Sequence, residues 1–200
     1  MSTETVTKIT GEVKYKLLRE GVVVDSGNTH NMVVFSSREL LAKIASGYGD
    51  LATSAKFGAI KALAIGTGDV APVITDTALG NEVYRQNISA ANTALTSEAG
   101  NIVTATTTSV TLTIRTKLTP YSPPANNAFP ATALSGTFTI NEFGLLGGFD
   151  SQQSSPATPP GDPSSGTAGI KGTLFNRALI GPVVMSSSDT LLIENIITWG

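Results

Sequence analysis

Residues 8–17 alternate between polar and apolar positions, with Ile9, Val13, Tyr15 and Leu17 on one side and Lys8, Thr10, Glu12, Lys14 and Lys16 on the other. A period of two predicts a strand buried on one face. The following "REGVVVDSGNTHN" offers a Glu-Gly turn, a short strand at Val22–Val24 and an Asp/Gly/Asn cluster that reads as a second turn, and a further short strand covers Met32–Phe35. One helix is predicted in "SSRELLAKIASG": Ser36 and Glu39 have capping-box spacing, Leu40, Leu41 and Ile44 form the apolar stripe, and Gly47 stands at the C-terminal cap position. "IKALAIG" and "NEVYRQNI" read as strands, and 101–118 as one or two, the clearest part alternating Val110, Leu112, Ile114 and Leu118 with Thr111, Thr113, Arg115 and Lys117. Further strands are predicted at 136–146, 172–180, 182–186 and 190–199, the last with Leu191, Ile193, Ile197 and Trp199 on its apolar face. Nine or ten short strands with few helices to cross between parallel neighbours predict a mainly β fold. The expected architecture is an antiparallel β-sandwich or jelly-roll-like domain, with one short helix and long Pro-rich loops.

Two stretches break this pattern, "TPYSPPANNAFPATALSG" and "DSQQSSPATPPGDPSSGTAG", and eight of the ten prolines fall in them: Pro120, Pro123, Pro124, Pro130, Pro156, Pro159, Pro160 and Pro163. Loops of this length are functional or linker-like. The expected organisation is one β-rich domain over 1–200, with extended loops at 119–135 and 150–169.

Composition narrows the function. Of the 200 residues 40% are hydrophobic and only 14% charged, so Ser and Thr make up much of the polar surface. The 13 basic residues are scattered and the net charge is −2, which leaves no stripe to neutralise a run of phosphates; no direct nucleic-acid contact is expected. The absence of cysteine removes disulfides and thiolate chemistry. No window approaches the roughly 18 apolar residues of a membrane-spanning helix, and the N-terminal "MSTETVTKITGEV" lacks the apolar core of a secretion signal. Synthesis in the cytoplasm without membrane association is expected.

"AIGTGDVA", residues 64–71, matches Gly-x-Gly-x-x-Ala, a permitted form of the dinucleotide fingerprint. That chemistry needs a helix opening at the glycines, whose amides bind pyrophosphate. Here "PVITDTALGNEV" follows, rich in β-branched and turn residues. The glycines are therefore expected to form a strand-exit turn, with Pro72 ending the strand and Asp76 bonding back to nearby amides. His30, the only histidine, lies beside Asn28 and Asn31 without carboxylates nearby in sequence, and no Gly-x-Ser-x-Gly elbow occurs. Neither a metal centre nor a serine triad is expected, and no cofactor. Glu142 follows Phe138 and Ile140 on one predicted strand face and Glu194 lies in the final strand, so two acids could in principle approach each other. The stronger expectation is structural: Glu142 meets backbone amides or an arginine, with Arg85, Arg115 and Arg177 available. Twelve Phe, Tyr and Trp residues are few for a sugar-binding cleft.

The succession "IKALAIGTGDVAP", "TDTALGNEV", "FTINEFGLLGGFD", "GTLFNRALIGPVV" and "SDTLLIENIITW" resembles a family of tailed-bacteriophage structural proteins. In that family an apolar strand enters a Gly-Thr-Gly turn, Asp-Thr-x-Leu-x-x-Glu follows, and Glu-x-Gly-Leu precedes Gly-x-Leu-x-x-Arg and a last strand. "VVDSGNTHNMVVFSSRELLAKIASG" resembles the family's Asn-x-Val-Val segment before its short helix. The resemblance covers most of the chain, and its motifs are turn and core residues; the two Pro-rich insertions depart from it.

It implies a non-enzymatic virion component assembled in the host cytoplasm. Capsid decoration, or cement, is placed first, with the major capsid protein or other virion proteins as partners and a homo-oligomer, trimeric or lattice-bound. The alternative is a tail, baseplate or tail-fibre protein that binds a host receptor or carbohydrate. The expected interaction residues lie in the two loops: Tyr121, Pro123, Pro124, Phe129, Pro156, Pro159, Pro160 and Pro163. Proline-rich arms lose less chain entropy on docking than flexible ones.

Overall fold

The computed structural model describes residues 8–38, 41, 60–88, 100–118, 128–129, 136–147 and 173–200. Ten strands are described, all paired antiparallel: β1 (Ile9–Arg19), β2 (Val22–Val33), β3 (Ile60–Gly66), β4 (Glu82–Asn87), β5 (Gly100–Ala105), β6 (Val110–Leu118), β7 (Ala128–Phe129), β8 (Phe138–Gly147), β9 (Thr173–Met185) and β10 (Asp189–Trp199). Their order is β5-β6-β10-β1-β2-β9-β8-β3-β4-β7. The mainly β, sandwich-like fold expected from the periodicity is what forms.

Strand β2 links two halves, pairing with β1 along most of its length and with β9 only at Met32 and Val33. The halves fold against each other. Tyr15 on β1 and Phe143 on β8 make an edge-to-face contact at 6.4 Å between ring centroids, whereas three strand spacings in a flat sheet would separate them by about 14 Å. Between the halves lies one core, with Val13, Leu17, Ile114 and Ile193 from the first half and Leu63, Ile65, Phe143 and Phe175 from the second. The alternation in β1 and β10 is the cause: Val13 and Leu17, with Tyr15 between them packed on the same core, and Leu191, Ile193, Asn195 and Ile197 are the inward positions, and every second residue faces outward.

The second half is covered on its outer face too. Ala62 and Ala64 of β3, Leu146 of β8 and Leu174 of β9 pack there with Val34 and Leu79. Leu79 belongs to the segment 67–81 between β3 and β4, so that segment lies across the outer face. Strands buried on both sides read as continuous apolar runs, as "ALAI" and "FGLLG" do.

Several expectations need correction. The cluster 25–31 is not a turn: it continues β2, paired residue by residue with β1 from Asp25↔Leu17 to Asn31↔Gly11. The reversal falls at Glu20 and Gly21, whose φ of 51° and 83° are the left-handed pair that a two-residue hairpin turn requires. The strands expected at 172–180 and 182–186 form the single strand β9, with Pro182 in an irregular stretch between the pairs Leu179↔Glu142 and Val183↔Ile140; an irregularity is where a sheet tolerates a residue without an N–H. The loop expected at 119–135 contains the short strand β7, paired with Arg85 and Gln86. The predicted helix is seen at 36–38 and 41; there the Ser36 hydroxyl donates to the Leu174 carbonyl at 2.7 Å. Glu39, Leu40, Ile44 and Gly47 lie outside the described residues.

Candidate functional site

The sequence singled out the glycine turn after β3, and the structure shows what those glycines approach. In "NEFG" on β8, Phe143 points into the core while Glu142 lies on the outer face beneath segment 67–81. Simple alternation would have kept Glu142 on the face of Phe138 and Ile140, as expected from sequence. The register shift between Ile140 and Glu142 reverses its side.

There Glu142 is fully buried and each carboxylate oxygen accepts two N–H groups. One oxygen, Oε1, takes the amides of Gly68 at 3.1 Å and Asn81 at 2.7 Å. The other, Oε2, takes the amide of Gly80 at 2.9 Å and Nε of Arg177 at 2.8 Å. The remainder of the Arg177 guanidinium is also engaged: Nη1 donates to Asp76 Oδ2 at 2.9 Å and Nη2 to the Val70 carbonyl at 3.0 Å. Asp76 Oδ2 also accepts the Val73 amide at 3.0 Å, the backbone bond expected of it. Burial alone would lower the Arg177 pKa; its hydrogen bonds to Asp76 and Glu142, with their charges, outweigh this and the net direction is upward.

The glycine positions follow from this anchor. A Cβ on Gly66 would collide with Glu142 Oε1 and with the Asn81 carbonyl oxygen, and one on Gly68 would sit 2.5 Å from the same carboxylate oxygen. Gly144 leaves the gap into which Leu79 packs, since a Cβ there would be 2.5 Å from Leu79 Cδ1. Asn141 adds a bond from Nδ2 to the Thr67 carbonyl at 3.0 Å, and Thr67 N donates to the Asn81 carbonyl at 2.9 Å. Loop, strand β8 and strand β9 are thus joined by one buried network.

The other expected partners are engaged elsewhere. Arg85 makes a two-pronged pair with Glu82 at 2.6 and 2.7 Å, both side chains nearly buried. Arg115 pairs with Glu194 at 2.6 Å on the outer face of the first half. Glu142 and Glu194 therefore do not come together: each projects outward, from opposite halves, with the core between them. His30 stands exposed on β2, opposite Glu12. Among the described residues no group of three or more His, Asp or Glu side chains is placed to hold a metal, and no helix is long and apolar enough to cross a membrane.

The chemistry of this arrangement is that of an anion site already filled by the chain itself. The Gly68 amide does bind an anion, as a glycine-loop amide in a nucleotide fold would, but the anion is Glu142. With two donors on each oxygen the carboxylate has no free position for proton transfer or a ligand. Of the interaction residues expected in the Pro-rich loops, Phe129 lies in β7, next to β4. Tyr121, Pro123, Pro124, Pro156, Pro159, Pro160 and Pro163 lie outside the described residues. Gly80 and Asn81 carry no sequence signal for this role, because a backbone amide aimed at a distant carboxylate leaves no trace in composition or period, and neither does the Asn141 side chain that reaches the Thr67 carbonyl.

No protein-family model matches the chain, and no curated protein or solved structure matches it.

Proposed function

We propose that the chain is a non-enzymatic structural component of a tailed-bacteriophage virion, docking on the head lattice as a decoration, or cement, protein. One observation carries the reading. The residues on which the resemblance rests are dispersed in sequence, yet they meet in one place: Asp76, Glu142 and Arg177 form the ion network, and Leu79 fills the gap left by Gly144. Motifs that depend on one another physically are a stronger sign of kinship than separate short matches.

A structural role also suits how the charges are used. The carboxylates that an acid/base mechanism would need, Glu142 and Glu194, are each committed to an arginine. The partners in this reading are the major capsid protein and further copies of the chain, and the location is the virion.

Immunogold electron microscopy of purified particles tests the assignment. Label distributed over the head is expected. Label confined to the tail tip or fibres would replace decoration by the tail reading, and particles without the chain would overturn both.

A further inference from the structure

The core between the two halves is not wholly apolar. Asn195 of β10, Thr116 of β6 and Asn176 of β9 are buried, and so are both amide atoms of Asn31 on β2. Six of their side-chain atoms make no hydrogen bond among the described residues: Oδ1 and Nδ2 of Asn31 and of Asn195, Nδ2 of Asn176 and Oγ1 of Thr116. An unpaired buried polar group costs more than a paired one contributes, so each of these atoms calls for a partner.

Strand register sets the four residues along one line. Asn31 is opposite Gly11, Gly11 is opposite Ile197, and Asn195 lies two residues before Ile197 on the same face of β10. Thr116 is opposite Ile193, two residues further along that face, and Asn176 is opposite Val33, two residues beyond Asn31 and packed on the core. From β9 through β2, β1 and β10 to β6, the polar positions therefore step in one direction and form a diagonal stripe on the inner face. Gly11 keeps the stripe open. A Cβ there would collide with Asn31 Oδ1, so the Asn31 amide lies over β1, on the side towards Asn195.

Asn195 and Thr116, like Asn31 and Asn176, are diagonal neighbours on paired strands. Such positions lie about 7–8 Å apart, a span that short side chains cross through a bridging water. The free atoms select that ligand. The three Nδ2 groups need acceptors, the Oδ1 atoms of Asn31 and Asn195 need donors, and the Thr116 hydroxyl serves either way. A cation would satisfy only the oxygens, and an anion only the donors. Water does both, and is small enough for a closed interior.

We propose that Asn31, Asn176, Asn195 and Thr116 form an internal hydration site, with one ordered water between Asn195 and Thr116 and another between Asn31 and Asn176. At about three hydrogen bonds each, two waters match the six free atoms. The second water sits beside the Met32 and Val33 pairing that joins the two halves, and helps to fix them against each other. Nothing in this site depends on the virion reading.

Magnetic relaxation dispersion of water oxygen, on the purified full chain, counts water molecules that reside longer than the protein tumbles. Thr116→Val combined with Asn195→Leu is expected to lower the count by about one, with circular dichroism confirming that the strands persist. Because apolar replacement in a core can alter packing, a high-resolution crystal structure of the wild type supplies the second readout. Density peaks are expected within hydrogen-bond distance of Thr116 Oγ1 and the Asn195 amide, and of the Asn31 amide and Asn176 Nδ2. An unchanged count in the folded double variant, or a wild-type crystal structure without water at these atoms, would overturn the proposal.

Discussion

The Glu142 carboxylate and the Arg177 guanidinium meet at 2.8 Å with neither side chain more than 4% exposed, and between them they hold the whole turn after β3 against the sheet. Removing one member of such a pair strands the other in a dry environment, which typically costs about 3–5 kcal/mol. Glu142→Ala is expected to lower unfolding free energy by about that much, measured by urea denaturation. Glu142→Leu combined with Arg177→Met should cost less than the sum of the two single changes. A loss under about 1 kcal/mol for Glu142→Ala would show that the network contributes little.

Gly66→Ala tests the close approach. The added methyl has no room against a backbone carbonyl and a buried carboxylate, so the turn must shift. Overpacking of this kind costs about 1–3 kcal/mol. Hydrogen exchange should localise the change to the amides of Gly68, Gly80 and Asn81, leaving β1 and β10 protected as before.

Asp189 predicts a pH dependence. It lies at the β9–β10 turn, accepting Arg19 Nε and Nη2 at 2.8 and 2.9 Å and the Ser186 amide and hydroxyl at 2.8 and 3.0 Å. The Arg19 hydrogen bond, helped by the Ser186 donors against the opposing effect of burial, lowers its pKa from 3.8 to about 2. The unfolded chain therefore takes up this proton first as pH falls. The stabilisation is complete above pH 3.8 and is lost as pH falls to about 2. Thermal melts across that range should show a decline that Asp189→Asn reduces; an unchanged decline would assign it to other carboxylates.

Glu20 has a φ of 51°, unfavourable for a side chain of its kind. Asparagine tolerates this region better and forms the Asn-Gly pair preferred in two-residue hairpins. Glu20→Asn is expected to stabilise the chain by about 0.5–1 kcal/mol. A neutral or destabilising result would mean that Glu20 makes a contribution beyond the turn.

The Pro-rich stretch at 150–169 joins strand ends that are already neighbours, because Gly147 and Thr173 face each other across β8 and β9. A much shorter connection can close the same pair. Deleting 151–168 should leave stability within about 1 kcal/mol of the parent while reducing particle association. Undiminished occupancy on particles would remove the arm role.

What the sequence revealed followed local periodicity. Strands such as β1, β3, β6 and β10 were legible because one face is apolar or the whole strand is buried. The sequence of β2 reads as two strands because Asp25, Gly27 and Asn28 favour turns when isolated, yet pairing with β1 overrides that preference. At the site, an arginine or backbone amides for Glu142 could be anticipated from a carboxylate within an apolar strand. Which arginine could not, since Arg177 faces Gly144 across β8–β9 only through a register set by irregularities on either side. The exposed Val70, Val73 and Ile74 were visible as letters but not as a surface, because exposure depends on what Glu142 and Arg177 hold beneath them.

The proposed role as a structural subunit of the virion head is tested most directly by the copy number of the chain per purified particle, from quantitative mass spectrometry against the major capsid protein. A fixed ratio to that protein, reproduced between preparations, is the predicted result. Absence from particles, or a number matching tail-tip components instead of the head lattice, would contradict it.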